Sequence, residues 1–372
     1  MIDTICLLIP KDKMTYISGV INWELHSKTD EFSRFVRNSN KIEKETGQYF
    51  PKLTEFKKRF FQDANIRMEF SLPKLLYLNN LEELEDKDFP EIIDVLQGRL
   101  KMMGIIITKE VLETAPVSSV HFSKNLLLQN GYTASYLISE MNKVNLRKSF
   151  DFAKVRYIND GESLYAHATS HQFAIYDKVA DLAKNNKRAM DKDQTLYQRR
   201  LSSQLSKENK RLEIIRFEIR LSQKQKLNEV LESFGYHKNL NFQQIFSTEI
   251  SKKVVAGYWN KFIKEHSLGI FSLAISSKDM LQKLLLADNK MKPKQAIYLI
   301  GLYTLAKDEN GLRQLRTMVS KQSHDRTWYR IVKDMQKVDE SVSRNKLRDW
   351  VTQIDKGLED YKPYKIKNYE NR

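Results

Sequence analysis

Ile66-Arg67-Met68-Glu69-Phe70-Ser71-Leu72 sets a pattern that returns in Ser119-Val120-His121-Phe122-Ser123-Lys124-Asn125, Gln172-Phe173-Ala174-Ile175-Tyr176-Asp177-Lys178 and Ile215-Arg216-Phe217-Glu218-Ile219-Arg220-Leu221. Polar and apolar residues alternate in each, the signature of a strand with one face buried. Arg67/Glu69/Ser71, Ser119/His121/Ser123/Asn125, Gln172/Tyr176/Lys178 and Arg216/Glu218/Arg220 then point one way. Met68/Phe70, Val120/Phe122, Phe173/Ile175 and Phe217/Ile219 point the other way, toward helices packed behind a sheet. Sharing one sheet, the four strands would gather two glutamates, a histidine, a tyrosine and a lysine on its open face: ligands for a metal and a phenol for a nucleophile.

Around these strands, residues 1–10 read as a first strand, 12–26 as further extended chain and 30–46 as a charged helix. Pro90 lies early in a helix starting at residue 88, whose Ile92, Val95, Leu96, Leu100 and Met103 recur at helical spacing until Gly104 stops it. Thr108 can cap a short helix, and Asn130-Gly131 is a turn ahead of a helix over 133–144. Residues 150–178 read as three strands and 179–209 as a long polar helix. Beyond Gly235 the chain reads as nearly continuous helix, one of them opened by Pro293. In a helix over 324–338, Trp328, Ile331 and Met335 share a face and leave Arg326, Arg330 and Lys333 free to face solvent. The expected fold class is α+β: an antiparallel sheet backed by helices over residues 1–237, with a helical domain over 238–372.

The 372 residues carry 63 Lys+Arg against 47 Asp+Glu, a formal charge of +16. Such a balance attracts polyanions through phosphate neutralisation and counterion release, which favours nucleic acid as partner. No apolar run approaches the length that spans a bilayer, so no membrane partner is expected. Met1-Ile2-Asp3-Thr4-Ile5-Cys6 puts an acid where a signal peptide wants positive charge. The single cysteine, Cys6, rules out an internal disulfide framework and fits a reducing cytoplasm. Residues after Tyr361, rich in Lys, Asn and Tyr, read as loose.

Glu69 and Glu218 sit mid-strand between hydrophobic neighbours, where a charge is costly unless paired or metal-bound. Arg67, Arg216 or Arg220 could pair with either one. Together with His121, the two suit Mg²⁺ or Mn²⁺ better than structural zinc, since one imidazole and carboxylates without thiolate make a hard donor set. The spacing of His167 and His171 matches no zinc signature. Tyr176 is one of 17 tyrosines, distinguished by Lys178 as its same-face neighbour, a cation able to hold a phosphate or favour the phenolate. Neither a P-loop nor a Gly-x-Ser-x-Gly elbow is present.

At these strands the chain resembles the replication initiators of the phage gene II and CRI type, which include filamentous-phage proteins that nick DNA for rolling-circle replication. The similar stretches are Met1-Ile2-Asp3, Met68 through Leu76, Val120 through Asn125, His171 through Leu182 and Ile215 through Leu221. The resemblance implies that Tyr176 takes the DNA end, with Arg216-Phe217-Glu218 and Glu69 as the matching basic and acidic elements. It departs at His121, where filamentous-phage members tend to carry an acid, and at Ser123, where the wider superfamily of tyrosine nickases has a second histidine. Arg326-Thr327-Trp328-Tyr329-Arg330 also resembles a segment common in these initiators.

The expectation is a metal-dependent, site-specific DNA endonuclease and strand transferase of a phage or plasmid, at work in the cytoplasm of a bacterial host. Tyr176 and Lys178 would be catalytic. Glu69, His121 and Glu218 would hold Mg²⁺ or Mn²⁺, and Arg216, Arg220, Arg326, Arg330 and Lys333 would contact DNA. DNA would be single-stranded at the nick and duplex at the origin, with a host helicase and polymerase following. A non-catalytic basic DNA binder and a metal-dependent nuclease using water are the alternatives.

Overall fold

A computed structural model describes residues 1–17, 19, 23–29, 32–58, 65–144, 154–158, 162–183, 197–198, 200–201, 212–266, 276–288, 291–308, 311–322, 325–342 and 348–366. The chain divides into two units, each discontinuous in sequence. The first comprises Met1–Leu127, Thr169–Ala256 and Tyr361–Arg372, and the second Leu128–Ala168 and Gly257–Asp360. A single cut between residues 237 and 238 therefore does not describe the division.

The strands are β1 (Ile2–Pro10), β2 (Thr15–Tyr16), β3 (Glu24–Lys28), β4 (Phe32–Arg37), β5 (Lys52–Lys58), β6 (Asn65–Ser71), β7 (Ile105–Ile106), β8 (Val117–Leu127), β9 (Lys154–Ile158), β10 (Ser163–His167), β11 (His171–Asp177) and β12 (Ile214–Leu221). In the first unit eight of them run in the order β3-β4-β5-β6-β1-β8-β12-β11, antiparallel at every pairing. Strands β2 and β7 form a separate two-stranded ladder. Register aligns the polar stripes: Thr4 lies opposite His121, His121 opposite Arg220, and Arg216 opposite both Asn125 and Tyr176. The alternate residues Ile5, Phe70, Val120, Phe122, Phe217 and Ile219 are buried.

Helices α1 (Lys41–Glu45), α2 (Leu72–Tyr77), α3 (Phe89–Met102), α4 (Lys109–Glu113), α6 (Lys178–Ala183), α7 (Lys224–Ser233) and α8 (Phe242–Ile245) belong to the same unit, and α5 (Ala134–Asn142) to the second. Phe242 meets Phe70 of the sheet and Phe89 of α3 edge-on, with ring centroids 6.0 and 5.1 Å apart. Burying three such rings contributes several kcal/mol and locks helix to sheet. The fold is thus the expected α+β.

Helix α9 (Thr248–His266) continues into the second unit, which adds α10 (Ser277–Ala287), α11 (Pro293–Lys307), α12 (Gly311–Gln322), α13 (Asp325–Val342), α14 (Asp349–Asp360) and the β9-β10 hairpin. Its core includes Met280 and Leu284 of α10, Leu299 and Tyr303 of α11 and Val338 of α13. Trp259 adds a hydrogen bond, donating from Nε1 to Asp355 at 2.6 Å. Gly311 has φ 41°, and a Cβ there would stand 2.6 Å from the Ala306 carbonyl oxygen.

Three local readings change. Residues 30–46 are not one helix: β4 occupies 32–37 because it pairs with β3 on one side and β5 on the other, and sheet pairing overrides weak helical periodicity. Lys178 begins α6, so β11 stops one residue short of it. That helix ends at Ala183, and most of the remaining 184–209 lies outside the described residues. Residues 361–366 are not loose but hydrogen-bonded into the first unit, as described below. Among the described residues no helix is long and apolar enough to cross a membrane.

Candidate active site

The register of β1 slips between Ile2, opposite Phe122, and Thr4, opposite His121. Two steps on β1 thus match one on β8, which makes Asp3 the extra residue of a β-bulge, the device that re-aims a side chain at the end of a ladder. Its carboxylate lies 2.7 Å from the Arg216 guanidinium and accepts a hydrogen bond from Thr4 Oγ1 at 3.0 Å. Among the described residues, Asp3, His121 and Glu218 bring potential metal-ligating atoms within 4.8 Å of one another.

Glu218 is the centre of the group. Tyr176 donates its hydroxyl proton to Oε2 at 2.7 Å, and Arg220 donates to both oxygens at 2.9 and 3.2 Å. His121 Nδ1 is 3.5 Å from Oε1. Burial pushes the Glu218 carboxyl up, but Arg220 first, then His121 and Arg216, outweigh it and hold the group well below the carboxylate range. Asp3 shows the same balance, with Arg216 overcoming burial to leave it below its ordinary value. Both acids are therefore charged at neutral pH.

Tyr176 is only 5% exposed. Burial, and then the neighbouring Glu218, raise its phenol well above the ordinary 10. The hydroxyl thus rests protonated against a carboxylate, and the expectation that Lys178 favours the phenolate does not describe this state. Lys178 is fully buried at the start of α6, 3.3 Å from Asp181 and 5.8 Å from the centre of the Tyr176 ring. Burial, reinforced by Arg216, lowers its ammonium to about 8.

Two assigned roles change. Glu69 lies exposed on β6, opposite Cys6 of β1. Because β1 runs between β6 and β8, about 10 Å separates Glu69's strand from His121's, and Asp3 takes the place expected for Glu69. Arg216 is buried and committed to Asp3, the Ser123 hydroxyl at 2.8 Å and the Asn80 carbonyl at 2.7 Å. Its side chain is only 2% exposed and is held among the acids, so the open surface expected of it is absent. Arg220, with its side chain 30% exposed, keeps an open side. In the second unit Trp328, Ile331 and Met335 are buried on α13 while Arg326, Arg330 and Lys333 are exposed, as the spacing predicts.

The donor set of two carboxylates and an imidazole suits Mg²⁺ or Mn²⁺. Asp3 Oδ1 is buried and 2.7 Å from the Arg216 guanidinium, so a cation would have to share that oxygen with Arg216. Arg220 occupies the Glu218 oxygen that faces His121, and an incoming cation would have to displace it. No protein-family model matches the chain, and no curated protein matches it either.

Proposed function

We propose that this protein cuts single-stranded DNA with Tyr176 as nucleophile, remains joined to the new 5′ phosphate, and so starts rolling-circle replication of a phage or plasmid. The observation that carries the reading is the Tyr176 hydroxyl held 2.7 Å from a carboxylate that also belongs to the Asp3–His121–Glu218 group, in a chain of charge +16.

Tyr176 Oη forms the bond to phosphorus, the P–O3′ bond breaks, and the phenolic proton passes to Glu218. Glu218 is a weak base at rest. The transfer becomes favourable as the phenol oxygen bonds to phosphorus and loses its basicity. Lys178, close to the Tyr176 ring, supplies positive charge to the phosphate and a proton to the departing 3′ oxygen. Phosphate approaches from the side of His121 and Arg220, the partly exposed members at 26% and 30%. Mg²⁺ or Mn²⁺ held by Asp3, His121 and Glu218 would polarise a phosphoryl oxygen.

The test is to incubate the protein with a randomised pool of single-stranded oligonucleotides and Mn²⁺, and to map any denaturant-resistant adduct by peptide sequencing. The expected result is an adduct at Tyr176 that disappears in Tyr176→Phe, with DNA binding retained. Cleavage without an adduct would replace this reading with a nuclease that uses water. Binding without cleavage would replace it with a non-catalytic DNA binder.

A further inference from the structure

Residues 361–366 reach the Tyr176 site by two routes. Along the first, Tyr364 and Glu83 exchange hydrogen bonds: the Tyr364 amide donates to the Glu83 carboxylate and the Glu83 amide to the Tyr364 carbonyl, both at 2.9 Å. Lys124, ion-paired with Glu83, also donates to the Lys362 carbonyl at 2.6 Å. The other Glu83 oxygen accepts from the Asn125 amide at 2.5 Å, and Asn125 Nδ2 donates to the Leu81 carbonyl at 2.7 Å. Residues 79–83 are thereby fixed between this segment and β8, and the Asn80 carbonyl in that turn accepts from Arg216 at 2.7 Å. Along the second route, Tyr364 and Ile366 pack against a buried cluster that includes Val179 and Leu182 of α6. The first residue of α6 is Lys178, which directly follows the strand of Tyr176.

We infer that residues 361–366 form a strap that sets the positions of Arg216 and Lys178, making Glu83, Tyr364 and Ile366 positioning residues. The catalytic consequence rests on the nickase reading. Positioning itself does not. Misplacing a charged group by about 1 Å can cost up to about a hundredfold in rate, so the strap matters to chemistry although it touches no reacting atom.

The experiment uses the full-length chain in three forms: wild type, Tyr364→Ala/Ile366→Ala and the conservative Tyr364→Phe/Ile366→Val. Acetylation of Lys178 by acetic anhydride, followed by mass spectrometry, reads its position whether or not the protein cuts DNA. Expected is roughly tenfold faster Lys178 acetylation in the alanine variant, a wild-type rate in the conservative one, and roughly tenfold lower kcat for adduct formation with KM within about twofold. Should the alanine pair fail to fold by circular dichroism, Ile366→Ala alone carries the same readouts. Unchanged acetylation would overturn the strap. Faster acetylation with unchanged kcat would overturn the catalytic consequence of the strap. Faster acetylation in a protein whose wild type forms no adduct would leave the strap standing and remove the nickase reading.

Discussion

Cations do opposite work in the two units. In the first, Arg216, Lys178 and Lys124 are buried, and each meets a carboxylate: Asp3, Asp181 and Glu83 respectively. In the second, Arg326, Arg330 and Lys333 lie exposed on a helix whose opposite side is apolar and buried. The buried set fixes where acids stand, at the cost of desolvation, while the exposed set contributes long-range field and is screened by salt. A formal charge of +16 says nothing of this split, which depends on burial alone.

The sharpest break of the contrast is Arg216→Met against Arg330→Met. Removing Arg216 leaves Asp3 and Glu218 buried near one another with their shared cation gone, so a loss of about 3–5 kcal/mol is expected from urea unfolding. Arg330→Met should stay within about 0.5 kcal/mol. In the wild type Arg216 depresses the Asp3 carboxyl, so its contribution is present above the ordinary carboxylate range and lost only as pH falls through the lowered value. The Arg216 variant should therefore lose stability at a higher pH during acid titration. Similar small losses in the two variants would erase the distinction.

Lys178 gives the next effect, in pH. Its ammonium falls to about 8 in the folded chain, so between there and its ordinary 10.5 the unfolded chain binds more protons and stability from this group rises with pH. Relative to Lys178→Met, wild type should gain over that window by at most about 3 kcal/mol. A constant gap between the two proteins would mean that Lys178 is as well hydrated as an exposed lysine.

Buried and exposed acids separate in the same way. Asp3→Asn should lower adduct formation by about a hundredfold, the scale of losing one group that stabilises developing charge, while Glu69→Gln should change it less than about twofold. The reverse order would restore Glu69 to the site and remove the bulge's role.

These outcomes track what can be read from alternation. His121, Arg220, Glu218 and Tyr176 were legible because period two fixes the face of a strand, and the observed registers pair them as that face requires. Asp3 was not legible as a member of the acid–histidine group. A bulge breaks the period, and nothing local to Ile2-Asp3-Thr4 announces one extra residue. Glu69 has the correct face, but which strand lies between β6 and β8 is a matter of topology. Lys178 shares the parity of Tyr176 in sequence, yet the chain turns helical at that residue, where Asp177 accepts a hydrogen bond from the Ala180 amide at 2.9 Å. In α13 the buried face is the one that the sequence spacing predicts, because helical spacing alone decides which residues meet the core.

The smallest change in fold or chemistry is expected from the exposed set. Replacing Arg326, Arg330 and Lys333 together with Ala removes no buried contact, so stability should stay within about 1 kcal/mol. Cleavage of short single-stranded substrates should also stand, because Tyr176 and the acids belong to the other unit. What should change is duplex binding. Each lost phosphate contact removes close to one released counterion, so the slope of log affinity against log salt should flatten by up to about one unit per contact. A filter-binding series across salt concentrations, run on random-sequence duplex, measures that slope directly. If wild type and the triple variant share both slope and affinity, these cations only solvate α13, and the contrast between the two units reduces to buried pairs against ordinary surface.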